Sequence, residues 1–282
     1  MKWRKREEAA AKALMIASLG IVLAALIGII GIILYRGGKA LNLSMIFQTP
    51  KGGFYFGKEG GIANAIVGSL LLAFGASVCA VLLSLPVAFV LQREYLGHGF
   101  ANFTRITLDI LWGIPSIVFG AFGFVIMRWL GLRTSLLGGI IVLTLLMIPI
   151  MVRSVEELVR MIPLELKEVA YALGSTRLEV MRAVVVKQAL PGILAGLMLA
   201  FGRGIGDAAS ILFTAGYSDY LPRSLSEPVA SLPLAVFFLI GTPSPEVQNR
   251  AYAAAFILLL IILLTSLGAR LAGRRLSKNI IR

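Results

Sequence analysis

Four polar residues interrupt an otherwise apolar stretch of this chain, at a spacing that could form a path for an ion. They are Arg203, Asp207, Ser210 and Thr214, separated by four, three and four residues. This spacing would place all four side chains on one side of an α-helix. A guanidinium can bind an oxyanion through two parallel hydrogen bonds, and a nearby carboxylate disfavours permanent binding. The pattern therefore predicts a transient anion contact; a buried Arg203–Asp207 pair that only fixes helix packing is the alternative.

Other polar residues beside apolar stretches are weaker candidates for the same path. Asn64 lies at the start of one such stretch, and Ser116 lies in another, directly after Pro115. Pro115 can kink a helix there, either to expose a carbonyl or for packing alone. Asp109 comes one turn after Arg105, and this spacing predicts a local surface ion pair.

Residues suited to enzyme chemistry are scarce in this sequence. The chain has one cysteine, Cys79, and one histidine, His98, so we expect neither an internal disulfide nor a Cys/His metal site. It contains no Gly-x-x-x-x-Gly-Lys-Ser/Thr loop and cannot itself be the ATPase of an energy-driven system. We therefore predict no catalytic residue, no metal site and no cofactor, with energy supplied by a partner.

The composition indicates that these residues belong to an integral membrane protein. Of the 282 residues, 58% are hydrophobic and 15% are charged, which is too apolar for a soluble domain of this length. Helices of ~17 to 25 apolar residues can cross a hydrocarbon core of ~30 Å. The predicted spans cover about residues 13–35, 62–92, 106–128, 134–153, 188–215 and 251–270.

Lys and Arg residues predict the orientation of these spans. The segments 1–12 and 273–282 are both basic, which favours the cytoplasm for both termini and an even number of spans. Residues 13–272 then form a single transmembrane domain, with a cytoplasmic loop over 154–187 and a short external helix, re-entrant or interfacial, over 228–245. The net charge of +13 reflects these flanking residues and contacts with anionic lipid rather than nucleic acid binding.

The cytoplasmic loop has the pattern of two helices joined by a glycine turn. Pro163 suits the first turn of a helix and Gly174 suits its left-handed end, so a short helix is predicted over 163–173. Thr176 and Glu179 are spaced for a capping box that begins a second helix. Without lipid around it, the apolar face of the short helix needs a partner; an amphipathic loop on the headgroups is the alternative. This face comprises Leu166, Val169, Ala170 and Leu173.

The same segment resembles the EAA motif of ABC importer permeases. The matching residues are Glu168-Val-Ala170, Gly174 and Leu190-Pro-Gly192. In that family the glycine-bounded helix docks in a groove of the cytoplasmic ATPase, so the resemblance implies this role for the helix from Pro163 to Gly174, Glu168 included. It also implies an all-α integral membrane protein with six transmembrane helices, the type I ABC importer permease fold and a cytoplasmic coupling helix.

Further stretches look like phosphate importer permeases of the PstA type. In that family, charged residues of the fifth span are implicated in transport, which favours a role for Arg203. The chain departs from the family at Asp207, where Glu is usual, and at Ser210, where Pro is usual. The similar stretches are Gly61–Asn64, Gly113–Gly120, Gly202–Asp207 and Leu212–Gly216.

The resemblance implies that this chain works with several other subunits. The expected partners are a companion permease of the PstC type, a cytoplasmic dimer of ABC ATPases of the PstB type that binds ATP and Mg²⁺, and an external phosphate-binding protein of the PstS type. The expected location is the cytoplasmic membrane of a bacterium or archaeon. Two alternatives stay open: a permease for another oxyanion, such as sulfate or molybdate, and a membrane scaffold or sensor that docks a cytoplasmic partner.

Overall fold

The computed structural model describes residues 2–51, 60–92 and 95–276, and every regular element in these ranges is helical. Helices satisfy their backbone polar groups internally, as a chain in lipid requires. The N-terminal helix continues beyond Ile32, through a π-helical turn, to Ala40. The helix Arg177–Ile205 also contains a π-helical turn. In chain order the helices are α1 Lys2–Ile32, α2 Leu43–Phe47, α3 Ala63–Val90, α4 His98–Gly113, α5 Ser116–Trp129, α6 Leu136–Arg160, α7 Leu164–Ala172, α8 Arg177–Ile205, α9 Leu232–Ile240 and α10 Pro245–Leu276.

The long helices agree with the predicted all-α membrane fold. In the described ranges, five helices are long and apolar enough to cross a membrane, and α4 with α5 adds a sixth if the two make one bent span. No residue in the most apolar part of α1 is buried against the rest of the described chain. The five helical segments are Trp3–Ala40, Ala63–Val90, Leu136–Arg160, Arg177–Ile205 and Pro245–Arg275.

The centre of the molecule is formed by α3 and α6, which pack against each other, and by α8, which packs on both. The inner face of α3 carries small residues such as Ala73, Ala76 and Ala80, all almost fully buried. Small side chains let helix backbones approach closely in a membrane protein. The larger residues Met147 and Met151 of α6 fill the same core.

The third predicted span, over 106–128, is divided in the structure into α4 and α5. The chain bends by 101° between α4 and α5. Ile114 and Pro115 both have extended ψ angles, 132° and 136°, because proline disfavours helical geometry in the residue before it and lacks an N–H of its own. Pro115 therefore separates two helices instead of kinking one.

The fifth predicted span, 188–215, is wrong at its C-terminal end, because α8 ends at Ile205. At its other end α8 begins at Arg177 and includes the predicted second helix of the hairpin. Beyond α8 the chain continues as turns. The Asp207 carboxylate accepts a hydrogen bond from the backbone N–H of Ser210, with an N–O distance of 2.7 Å. Aspartate side chains that bond to the backbone in this way compete with helical hydrogen bonds. The glycines that precede Asp207 also have a low helix propensity.

At the end of the bundle opposite α7, the short helix predicted within 228–245 is present as α9. Its first backbone N–H, on Leu232, donates to the Ser69 hydroxyl near the start of α3, at 2.7 Å. α10 begins at Pro245 rather than at 251, so its first turns include the buried Arg250. α9 and α10 pack together and close this end of the molecule.

Candidate functional site

A proline precedes the short helix α7 and a glycine follows it, as predicted. Pro163 is the residue before its first turn, and Leu173 follows its last, so the helix is one residue shorter at each end than the predicted 163–173. Gly174 has a φ of +84°, the left-handed conformation that non-glycine residues adopt only with strain. Its N–H donates to the Tyr171 carbonyl at 2.9 Å, which ends the helix.

The capping box that starts α8 is present too. The backbone N–H of Thr176 donates to Glu179 Oε2 at 2.7 Å, and the N–H of Glu179 donates to Thr176 Oγ1 at 3.4 Å. These reciprocal bonds satisfy two donors that the helix itself leaves free. Together with Gly174 they fix the direction of the chain as it leaves α7.

The predicted apolar face of α7 is divided between the inside and the outside of the molecule. Leu166 and Ala170 are half-buried, whereas Val169 is 60% exposed and Leu173 is 82% exposed. Lys167 is buried at 7% exposure. The four predicted residues are therefore unequally buried, and Val169 and Leu173 form an outward apolar strip.

That outward strip has acidic neighbours. Val169 and Leu173 are its apolar residues, and the exposed side chains of Glu165 and Glu168 lie beside them. Because α7 follows directly after the end of a long membrane helix, it presents these side chains beyond the bundle. An exposed apolar strip with a charged rim is typical of a protein docking surface.

An arginine cluster lies at the base of α7, and sequence reasoning missed it. Glu156 of α6 is fully buried, and three guanidinium groups contact its carboxylate. Arg105 Nε and Arg160 Nη2 each lie 2.6 Å from Oε1, and Arg153 Nη1 lies 3.1 Å from Oε2. Removing one partner of a buried ion pair costs about 3–5 kcal/mol, so these contacts hold α4 against the C-terminal end of α6.

The arginine cluster extends to two further groups. Arg105 Nη2 donates to the carbonyl of Leu91, just after α3, at 2.6 Å. Arg153 Nε lies 2.8 Å from Asp109 Oδ1, so the predicted pairing of Arg105 with Asp109 is wrong. The spacing of Arg153, Glu156 and Arg160 along α6 could have indicated part of the cluster. Only the packing of α4 on α6 could show the contribution of Arg105.

At the other candidate site, the structure separates Arg203 from the residues with which it was grouped. Arg203 is in the last turn of α8 and is exposed, whereas Asp207, Ser210 and Thr214 lie beyond the helix and are buried. The prediction that all four share one helical face is therefore wrong. Within the described ranges, the guanidinium of Arg203 has no ion-pair partner, and the Asp207 carboxylate bonds to Ser210 instead.

The segment after α8, residues 206–216, is held tightly by the helices around it. A Cβ added at Gly120 of α5 would lie 2.6 Å from the Ser210 carbonyl oxygen, so only glycine allows this approach. The Thr214 carbonyl accepts from the N–H of Ser135, at the start of α6, at 2.8 Å. These contacts make the segment a rigid part of the protein interior, directly behind Arg203.

Asn64 and Ser116 occupy different environments near this segment. Asn64 is buried, and its side-chain amide donates to the Ser218 carbonyl at 2.6 Å. Ser116 is the first residue of α5 and is half-buried. Two buried oxygens, Asn64 Oδ1 and Ser210 Oγ, have no hydrogen-bond partner among the described residues, so both can still accept one.

The chain is similar to known membrane subunits of transporters over most of its length. The phosphate transport system permease protein PstA of Yersinia pestis is 33% identical over 269 residues, which is 95% of this chain and 90% of that protein. The protein of the same name from Haemophilus influenzae is 32% identical over 275 residues, covering 95% of this chain and 94% of its own length. A probable PstA of Methanocaldococcus jannaschii is 36% identical over 212 residues, 73% of each.

Solved structures show a similar fold at lower identity. A chain of the MetNI methionine ABC transporter, in an inward facing conformation, superimposes with a TM-score of 0.62 at 19% identity, covering 76% of this chain and 95% of that one. A chain of an amino acid ABC transporter gives 0.58 at 18%, covering 76% and 92%. The family model described as "Binding-protein-dependent transport system inner membrane component" matches residues 80–278. The bent helix pair, the central α3–α6–α8 core and α7 are thus the architecture of a permease, and this chain belongs to the binding-protein-dependent transport system inner membrane component family.

Proposed function

We propose that this chain is the permease subunit of an ATP-driven importer that moves inorganic phosphate across the cytoplasmic membrane. Support for the substrate comes from the relatives named as phosphate transport permeases. The chain has no nucleotide-binding loop, so a separate ATPase subunit supplies hydrolysis and binds ATP and Mg²⁺. A companion permease forms the other half of the pore, and an external binding protein delivers phosphate.

The observation that carries this proposal is the outward strip of α7. Val169 and Leu173 are apolar yet exposed, and the helix is bounded by Pro163 and Gly174. We assign this strip, with Glu168 at its edge, to contact with the cytoplasmic ATPase. Closure of the ATPases around ATP then moves α7, and hydrolysis lets it return.

For the ion path, we assign the direct phosphate contact to Arg203. It is exposed and its guanidinium is free of ion pairs within the described ranges, so it can offer a bidentate site to an oxyanion. Ser116, half-buried at the start of α5, contributes a hydroxyl to the same path. Because Asp207, Ser210, Thr214 and Asn64 are buried, they form the wall that holds this path rather than its surface.

Reconstitution tests the proposed function directly. The tagged chain is purified from native membranes with its associated subunits, placed in liposomes with the external binding protein, and assayed for ATP hydrolysis with phosphate or with sulfate. We expect stimulation by phosphate alone. Stimulation only by sulfate would overturn the substrate, and absence of any associated ATPase would favour the membrane scaffold.

Gly174 provides a specific test of the coupling role of α7. A Gly174→Val variant places a β-branched residue at a φ of +84°, a conformation that costs about 1–2 kcal/mol per residue, so the turn changes and transport should be lost while membrane insertion is kept. Gly174→Asn is the matched control, because asparagine tolerates this conformation. Normal phosphate uptake by the valine variant would contradict the assignment.

A further inference from the structure

The helix α4 is attached to the rest of the molecule along one narrow face. Its buried residues are Ala101 and Leu108, and Arg105 lies between them at separations of four and three residues, on the same face. α4 packs against α6. The contact of Arg105 with Glu156 is the buried polar contact between α4 and α6, and the exposed pair Asp109–Arg153 adds a second.

The arginine cluster also lies directly beside the start of the docking helix. Arg160, one of the three arginines bound to Glu156, is the last residue of α6, and α7 begins at Leu164. Arg105 connects the same carboxylate to the Leu91 carbonyl that follows α3. The start of α7 is thus joined to residues bonded to Glu156, while α7 also packs on the start of α8.

From α4 the connection continues to the proposed ion path. α4 leads through the 101° bend into α5, whose Gly120 lies against the backbone of Ala209 and Ser210. These residues belong to the segment that follows Arg203. A rotation of α4 is thus transmitted to the wall of the path by direct backbone packing, which cannot deform cheaply.

We propose that Glu156 is a positioning residue for transport: it makes α4 and α5 move as one body with α7, so that docking of the ATPase changes the surroundings of Arg203. This inference rests on the proposed function for its transport consequences. Stability alone does not account for the arrangement, because well-packed apolar residues often hold buried positions as well as an ion pair does. Three guanidinium groups bound to one carboxylate also hold their helices in a single defined orientation.

A Glu156→Gln variant tests the role, since it keeps the volume and one acceptor oxygen but removes the charge. In the complete reconstituted complex we expect normal assembly and basal ATP hydrolysis, with the stimulation by phosphate reduced roughly tenfold, within the usual range for coupling between two sites. Glu157→Gln is the matched control, because Glu157 is adjacent but exposed, and it should behave as the unaltered complex. Unchanged stimulation in an assembled Glu156→Gln complex would overturn the proposal.

A second variant keeps the test decisive if Glu156→Gln does not assemble. Arg105→Lys retains the positive charge but cannot bond both Glu156 and the Leu91 carbonyl in the observed geometry. It should assemble and show a smaller loss of stimulation. Full stimulation in Arg105→Lys would overturn the role of the cluster.

A distance measurement separates this inference from the proposed function. Spin labels on cysteines at Asn102 of α4 and Met161 after α6, in a Cys79→Ala background, report whether the two elements move together in the complete complex. We expect one narrow distance with and without ATP in the unaltered cluster, and a broad distribution in Glu156→Gln. A narrow distribution in both would overturn the inference, whereas failure of phosphate to stimulate the unaltered complex would overturn the proposed function and leave the label result valid.

Discussion

The arginine cluster and the end of α8 use charges in opposite ways. In the cluster, every charge has a partner on the same or a neighbouring helix, and Glu156 is fully buried. At the end of α8, Arg203 is exposed and its nearest predicted partner, Asp207, is bonded to the backbone. A charge paired across helices fixes their arrangement, whereas an exposed cation remains able to bind a ligand.

The two regions also show why residue spacing was a poor guide to ion pairs. Arg105 with Asp109 and Arg203 with Asp207 have the same four-residue separation, and neither pair forms. The first fails because a buried carboxylate on α6 competes for Arg105, and the second fails because α8 ends between the two residues. A local pairing rule holds only while the helix continues and no better partner packs against it.

The largest expected difference between the regions is in stability. Arg105→Met should destabilise the protein by about 3 kcal/mol, the low end of the range for breaking a buried ion pair, since Arg153 and Arg160 still contact Glu156. Arg203→Met should change stability by only about 0.5 kcal/mol or less but reduce phosphate transport about tenfold or more, the equivalent of one charge-assisted hydrogen bond. Unfolding in detergent and uptake in liposomes measure both. Equal destabilisation by the two variants would contradict the comparison.

A medium effect is expected where α5 meets the segment after α8. Gly120→Ala places a methyl group against the Ser210 carbonyl, which should cost about 1–3 kcal/mol as overpacking and slow transport by displacing the wall behind Arg203. Gly113→Ala is the control, because no atom lies within 4 Å of a Cβ at that position. If both variants transport normally, the segment is not the rigid wall that its contacts indicate.

The smallest effect is expected at the exposed edge of the cluster. The Asp109 side chain is 51% exposed and contacts only Arg153 among the described residues, so Asp109→Asn should cost about 1 kcal/mol or less, as for a surface ion pair. The same unfolding measurement compares it with Arg105→Met. A loss as large as that of Arg105→Met would mean that the cluster extends its stabilising role to the surface.

The hairpin of α7 and α8 shows what kind of structure could be read from the residues. The left-handed Gly174 and the Thr176–Glu179 capping box appear where they were predicted, and each end of α7 lies within one residue of its predicted position. Each depends on residues within five positions of one another, where backbone preference decides the outcome. The exposure of Val169 and the burial of Lys167 were not predictable in this way, because they depend on which neighbour α7 meets.

The bend at Pro115 and the end of α8 lie between these cases. Proline made a kink the expected outcome, but the size of the bend depends on where α4 and α5 each find a packing surface. In the segment after α8, glycines weaken the helix, yet most of the chain stays buried because Gly120 and Ser135 provide close packing and hydrogen bonds. Apolar composition alone therefore placed the end of the helix too far along the chain.

The sequence by itself determined that this is an all-α membrane protein with a short helix between Pro163 and Gly174, since hydropathy and local backbone preference suffice for both. Its motifs were also sufficient to identify the permease family. Only the tertiary structure decided which charges are paired, where α8 ends and which polar side chains are buried. Those properties depend on contacts between residues far apart in the chain, such as Arg105 with Glu156 and Gly120 with Ser210, and no local pattern encodes them.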